Sequence, residues 1–143
     1  MRFYIDSNVI ISYINLDFGR NYELMYKRTE DFFSFCKAKK IVLIFSDFTF
    51  QELKKKSFYS KEQAIELLSE LGLSIEIRET EEKDSSIIKE IIQKIHYPDS
   101  VHAFIALSQK CNAIITWNKK DFEPIEGLIK VLTPEEFLES PFF

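Results

Sequence analysis

PDSVHAFIALSQKCNAIITWNKKDF, residues 98–122, decides the fold. Pro98 suits the opening of a helix over 98–110. His102, Ala103 and Ala106 follow Asp99 by three, four and seven residues, which gives that helix one face of small side chains able to approach a sheet closely. NAIIT then reads as a strand and WNKKDF as a loop. Asp99 thus opens a helix, while Thr116, Asn118 and Asp121 follow a strand.

The same grammar extends in both directions. Residues 2–6 read as a strand, and SNVIISYINL as a helix with apolar positions 9, 10, 13 and 14 at helical spacing. LDFGRN interrupts, and a second helix runs from about 23 to 38. IVLIF, 41–45, is a continuous apolar run of the kind buried on both faces. Ser46 or Asp47 can cap the helix FTFQELKKK, and another helix, 60–71, ends at Gly72. LSIEI, 73–77, alternates like a strand nearer an edge. After the charged run ETEEKD, the helix SSIIKEIIQKI carries Ile87, Ile88, Ile91, Ile92 and Ile95 at 3, 4 spacing. LIKVL is a last strand and PEEFL a short last helix. Short strands alternating with helices predict a three-layer α/β/α sandwich with a central, mostly parallel four- or five-stranded sheet.

A chain of 143 residues, 45% hydrophobic, has room for one domain spanning 1–143. Fourteen Phe and six Tyr against three Gly and four Pro indicate a packed globule. The net charge of -4 excludes a strongly basic surface but not nucleic acid, since acids gathered around metal ions would account for the deficit. Cys36 and Cys111 lack metal-ligand spacing and read as buried free thiols. No targeting segment and no membrane-length apolar run is present, so a soluble cytoplasmic protein is expected.

The carboxyl ends of parallel strands share one edge, where acids from distant segments meet. Asp6 after the first strand, Glu52, Asp99 and the pair Asn118 and Asp121 all fall at such positions. Gathered carboxylates repel one another, and bound Mg²⁺ or Mn²⁺ relieves that repulsion. Each residue also has a plainer reading. Asp6 and Asp99 can be helix caps, Glu52 solvent-facing, and Asp121 a pin for its loop, while His102 can either hydrogen-bond an acid or a phosphate or be a packed, satisfied side chain. Ser7 and Asn8 can assist Asp6 from the first turn. Lys54, Lys119 and Lys120 stand beside the acids and can meet phosphate, although charge runs usually mark a solvated surface. Two histidines without a close cysteine pair argue against structural zinc.

In this order the motifs resemble the PIN-domain ribonucleases, the family that includes the VapC toxins. The resemblance runs through YIDSNVIISYI, FTFQEL, residues 98–122 and the strand before LTPEEFL, nearly the whole chain. It implies metal binding by Asp6, Glu52 and Asp99, with the fourth family acid at Asn118, where many members have Asp. Asp121 resembles the neighbouring Asp that precedes Phe, and Thr116 the hydroxyl residue near the acidic pocket. Asn118 brings no charge, so one firmly held ion is expected and a second only with RNA present. The stretch Leu16–Tyr22 and the long second helix depart from compact members, in a region that in this family often touches the antitoxin or clamps substrate.

The resemblance therefore implies hydrolysis of RNA phosphodiesters by metal-activated water, in the toxin of a type II toxin-antitoxin pair. DNA cleavage is the near rival, and a phosphatase on a similar crevice a more distant one. A non-catalytic RNA-binding or interaction module with a degenerate pocket is the reading from another class. The absence of a Gly-rich phosphate loop disfavours nucleotide-binding folds. Phe32, Phe33, Phe35, Phe45, Phe48 and Phe50 read as core, with a homodimer interface or antitoxin groove as the alternative. The terminal PFF is open to both readings.

Overall fold

The computed structural model describes residues 1–19, 24–79 and 85–139. Residues 20–22 of the expected insert, most of the charged run before the Ile-rich helix, the side chains of Ile87, Ile88 and Ile92, and the terminal PFF lie outside that description. Five strands, β1 (Arg2–Ile5), β2 (Val42–Ser46), β3 (Ser74–Arg78), β4 (Ala113–Ile115) and β5 (Lys130–Leu132), form one sheet in the order β3-β2-β1-β4-β5. Every pairing is parallel. Among the described residues seven α-helices accompany them: α1 (Ser7–Ile14), α2 (Met25–Lys39), α3 (Asp47–Ser57), α4 (Lys61–Glu70), α5 (Ser85–Lys94), α6 (Asp99–Ser108) and α7 (Pro134–Leu138). The expected three-layer sandwich is what forms.

Strand alternation explains the layers. Phe3 and Ile5, Leu43 and Phe45, Ala113 and Ile115, with Leu132, enter one core together with Phe32, Phe33, Phe50, Leu53, Leu68 and Phe137. Tyr4, Ile44, Ile114 and Val131 enter the other, against Ile91, Ile95, Ala103 and Ala106. Central β1, β2 and β4 are covered on both faces, which is why they read as unbroken apolar runs. The half-exposed β3 sits at the edge, as its alternation predicts. Phe32, Phe33, Phe45 and Phe50 are buried and Phe35 packs against them, so these aromatics are core.

Local chemistry sets the junctions. Ser46 caps α3 in a reciprocal capping box with Thr49, and Ser60 does the same for α4 with Gln63. Gly72, at φ +73, makes the left-handed exit from α4. Residues 117–122, expected as a loop, lead instead into a 3-10 helix, Lys119–Ile125. Phe122 and Ile125 lie three apart and both are buried, so one face of a three-residue turn serves the core. The last strand is shorter than LIKVL because pairing with β4 covers only Lys130–Leu132.

Candidate metal centre

Register brings the first two polar groups together. Tyr4 pairs with Ile114 and Ile5 with Ile115, so the next residues, Asp6 and Thr116, leave the sheet side by side. The Asp6 amide still bonds Ile115 O at 3.0 Å, and the Thr116 amide bonds Leu132 O at 3.0 Å. Asp6 occupies the N-cap position of α1, but its side chain makes no cap hydrogen bond. Its carboxylate faces the sheet edge instead. Thr116 Oγ1 donates to Asp6 Oδ2 at 2.8 Å and accepts from Asn8 Nδ2 and from the Asn118 amide, each at 3.0 Å. That exhausts one donor and two acceptor positions. Asn8 Nδ2 also reaches Asp6 Oδ2 at 3.1 Å, while Asn8 Oδ1 accepts from the Trp117 amide at 3.0 Å.

Glu52 arrives from α3 and His102 from α6. Phe50 and Leu53 anchor α3 in the first core, which turns the half-buried Glu52 toward the sheet edge. Ser7 Oγ donates to Glu52 Oε1 at 2.9 Å, and His102 Nε2 contacts the same oxygen. His102 Nε2 also lies 3.5 Å from Asp6 Oδ1, and Nδ1 lies 2.5 Å from the Tyr4 hydroxyl. The packed and satisfied histidine is therefore also a partner of the acids. Asp6, Glu52 and His102 each offer one ligand atom, all within 4.8 Å of one another, so this cluster is capable of coordinating a divalent cation. Two carboxylates from separate segments, with an imidazole beside them, suit such an ion chemically.

Electrostatics agree with an ion-binding role. Burial raises the Asp6 carboxyl above its ordinary range, against the charge of His102 and the Thr116 hydrogen bond. Burial also opposes ionisation of Glu52, but the hydrogen bond and charge of His102, with Ser7, bring it below the usual value. His102 is raised: burial disfavours its charge, and Glu52 and Asp6 outweigh burial. Asp99, in the first turn of α6, is pushed up to about 6 by burial and by the charges of Asp6 and Asp121. Asp99 thus belongs to the same electrostatic unit, although it lies outside the tight three-residue cluster.

The remaining sequence candidates divide. Asp99, Asp121 and Lys120 line a cleft of about 330 Å³ with Lys94 and His96. Asn118 takes part through its backbone, its amide meeting Thr116 and its carbonyl receiving the Asp121 amide at 3.1 Å. Lys119 pairs with Glu136 of α7 at 2.9 Å. Lys54 is exposed near the end of α3, whereas Lys56, one turn beyond Glu52, is the lysine whose charge Glu52 feels. Tyr4, Thr49 and Trp117 carry no motif in the sequence, and Ser46 reads there only as a helix cap. The signal for Tyr4 was present, since strand period two puts it on the same side of β1 as Asp6.

No protein-family model matches the chain, and no curated protein sequence matches it. A solved structure does: VapBC-1 from nontypeable Haemophilus influenzae, with a TM-score of 0.63 at 21% identity, covering 94% of this chain and 98% of that one. The chain therefore has a PIN-like fold resembling VapC, as its motifs led one to expect.

Proposed function

We propose that the protein is a Mg²⁺- or Mn²⁺-dependent endoribonuclease, the toxin of a toxin-antitoxin pair. The observation that carries this is the Asp6–Glu52–His102 cluster at the carboxyl edge of a VapC-like sheet. Asp6, Glu52 and Asp99 would hold the cation, which when bound activates water and stabilises charge on the phosphoryl oxygens. The chain's own contribution is placement. Thr116 and Asn8 fix one oxygen of Asp6, Ser7 and His102 fix one oxygen of Glu52, and the raised carboxyls of Asp6 and Asp99 ionise less readily until a cation arrives.

The adjoining cleft, lined by Lys94 and Lys120 as well as Asp99 and Asp121, has room for a neighbouring stretch of phosphate backbone that the two lysines would meet. An antitoxin partner is proposed from the likeness to VapBC-1. Among the described residues no helix is long and apolar enough to cross a membrane, and a cytoplasmic setting is part of the same proposal.

The test is cleavage of a defined tRNA and rRNA panel, with matched single-stranded DNA, under Mg²⁺, Mn²⁺ and excess EDTA. Metal-dependent RNA cuts that EDTA abolishes are expected. Equal cutting of DNA would replace the ribonuclease by a general nuclease, since a preference for the 2′-OH separates the two. Metal binding without cleavage of either polymer would favour a non-catalytic binding module.

A further inference from the structure

Both nitrogens of the buried His102 ring are engaged, and their partners decide what the ring can do. The Tyr4 hydroxyl beside Nδ1 can donate or accept, because Ser46 Oγ at 2.8 Å and Thr49 Oγ1 at 3.3 Å supply the complementary role in either case. Glu52 has no such freedom. An ionised carboxylate only accepts, so the Nε2 that meets Glu52 Oε1 carries hydrogen in the neutral ring and in the imidazolium alike. A ring nitrogen bearing hydrogen has no lone pair for a cation.

We propose that His102 is a positioning residue that holds Glu52 and leaves the cation to oxygen donors alone, an inference resting on the metal-dependent reading above. Ser7 and His102 both occupy Oε1 of Glu52, and among the described residues no hydrogen bond reaches Oε2. The carboxylate therefore presents its second oxygen. Asp6 divides its oxygens in a similar way: Oδ2 takes Asn8 and Thr116, while Oδ1 lies 3.5 Å from the Ser7 hydroxyl and from His102 Nε2. An all-oxygen set favours hard Mg²⁺ or Mn²⁺, whereas a ligating imidazole would draw the site toward Zn²⁺ or Ni²⁺. His102 lies near enough to Asp6 and Glu52 to be a ligand itself, so the hydrogen on Nε2 is what separates the two chemistries.

The test reads that hydrogen. In ¹⁵N-labelled protein, long-range ¹H–¹⁵N spectra distinguish a protonated ring nitrogen from one with a free lone pair. Nε2 is expected to keep its hydrogen in metal-free protein and under saturating Mg²⁺; its loss on adding Mg²⁺ overturns the proposal.

In a second arm, Mn²⁺ titration of His102→Gln, which retains a side-chain N–H donor, should give an affinity near wild type. His102→Leu should lose roughly 10- to 100-fold. Equal losses in the two variants, or none in His102→Leu, overturn the proposal, and the NMR arm decides if either fails to fold. Protein that keeps the Nε2 hydrogen under Mg²⁺ yet cuts no RNA refutes only the nuclease reading. Protein that cuts RNA but sheds this hydrogen refutes only the role given to His102. Wild-type protein that binds neither cation overturns both.

Discussion

Thr116 Oγ1 donates to Asp6 Oδ2 across 2.8 Å although the residues stand 110 apart in sequence. Both are buried, and parallel pairing of β1 with β4 delivers them to the same edge. Thr116→Val keeps the shape and removes the donor, leaving a desolvated carboxylate with one hydrogen bond fewer. A loss of about 1–3 kcal/mol is expected, read as a lower urea midpoint at unchanged slope. Mn²⁺ affinity at fixed pH should fall as well, because the missing bond raises the Asp6 carboxyl further and the proton competes better. An unchanged urea midpoint would mean that the bond adds nothing to stability.

Asp6→Asn and Asp99→Asn are each expected to cost at least about 10²-fold in metal-dependent cleavage, since a metal ligand carries several kcal/mol of charge stabilisation. The fold should survive in both, because each substitution removes a charge that burial disfavours in the metal-free protein. Circular dichroism and single-turnover cleavage of the same preparations check the two halves separately. Soluble, folded Asp99→Asn protein cutting RNA at the wild-type rate would remove Asp99 from the site.

Phe137 tests the packing that holds β5 and α7 to the sheet. Its buried ring meets Phe3 at 4.9 Å, Phe32 at 5.1 Å and Phe35 at 5.9 Å between centroids, all nearly edge to face. Phe137→Ala should therefore cost roughly 3–5 kcal/mol in a urea titration. A cost below about 1 kcal/mol would mean that the site collapses around the vacancy or that α7 contributes little.

Asp6 and Glu52 were legible because each lies just beyond a strand or on the helix that follows one, and local periodicity reports such places. The three-layer sandwich was legible for the same reason, since apolar runs and helical spacing register burial. Hydrogen-bond partners are another matter. Tyr4 and His102 are 98 residues apart, and both patterns report only a core position. Their contact requires α6 to lie over the second face of β1, which only the full topology decides. The reading of residues 117–122 as a loop failed more locally, because one short turn carries too few apolar positions to reveal a period of three.

Asp99 gives the metal-free protein a pH dependence of definite sign. Burial and the charges of Asp6 and Asp121 raise its folded value to about 6, from 3.8 for the ordinary carboxyl. Between those values the native state binds the proton and the unfolded chain does not. Stability from this group is complete below the unfolded value and is lost as pH rises through about 6. In EDTA, the melting temperature of wild type should therefore fall relative to Asp99→Asn from pH 4 to pH 6.5 and run parallel above. A bound cation favours the ionised carboxylate, so the increase in melting temperature on adding Mn²⁺ should grow over the same interval. Parallel wild-type and Asp99→Asn curves throughout, with a Mn²⁺ increment that does not vary with pH, would mean that Asp99 titrates as an ordinary surface carboxyl and stands outside the metal centre.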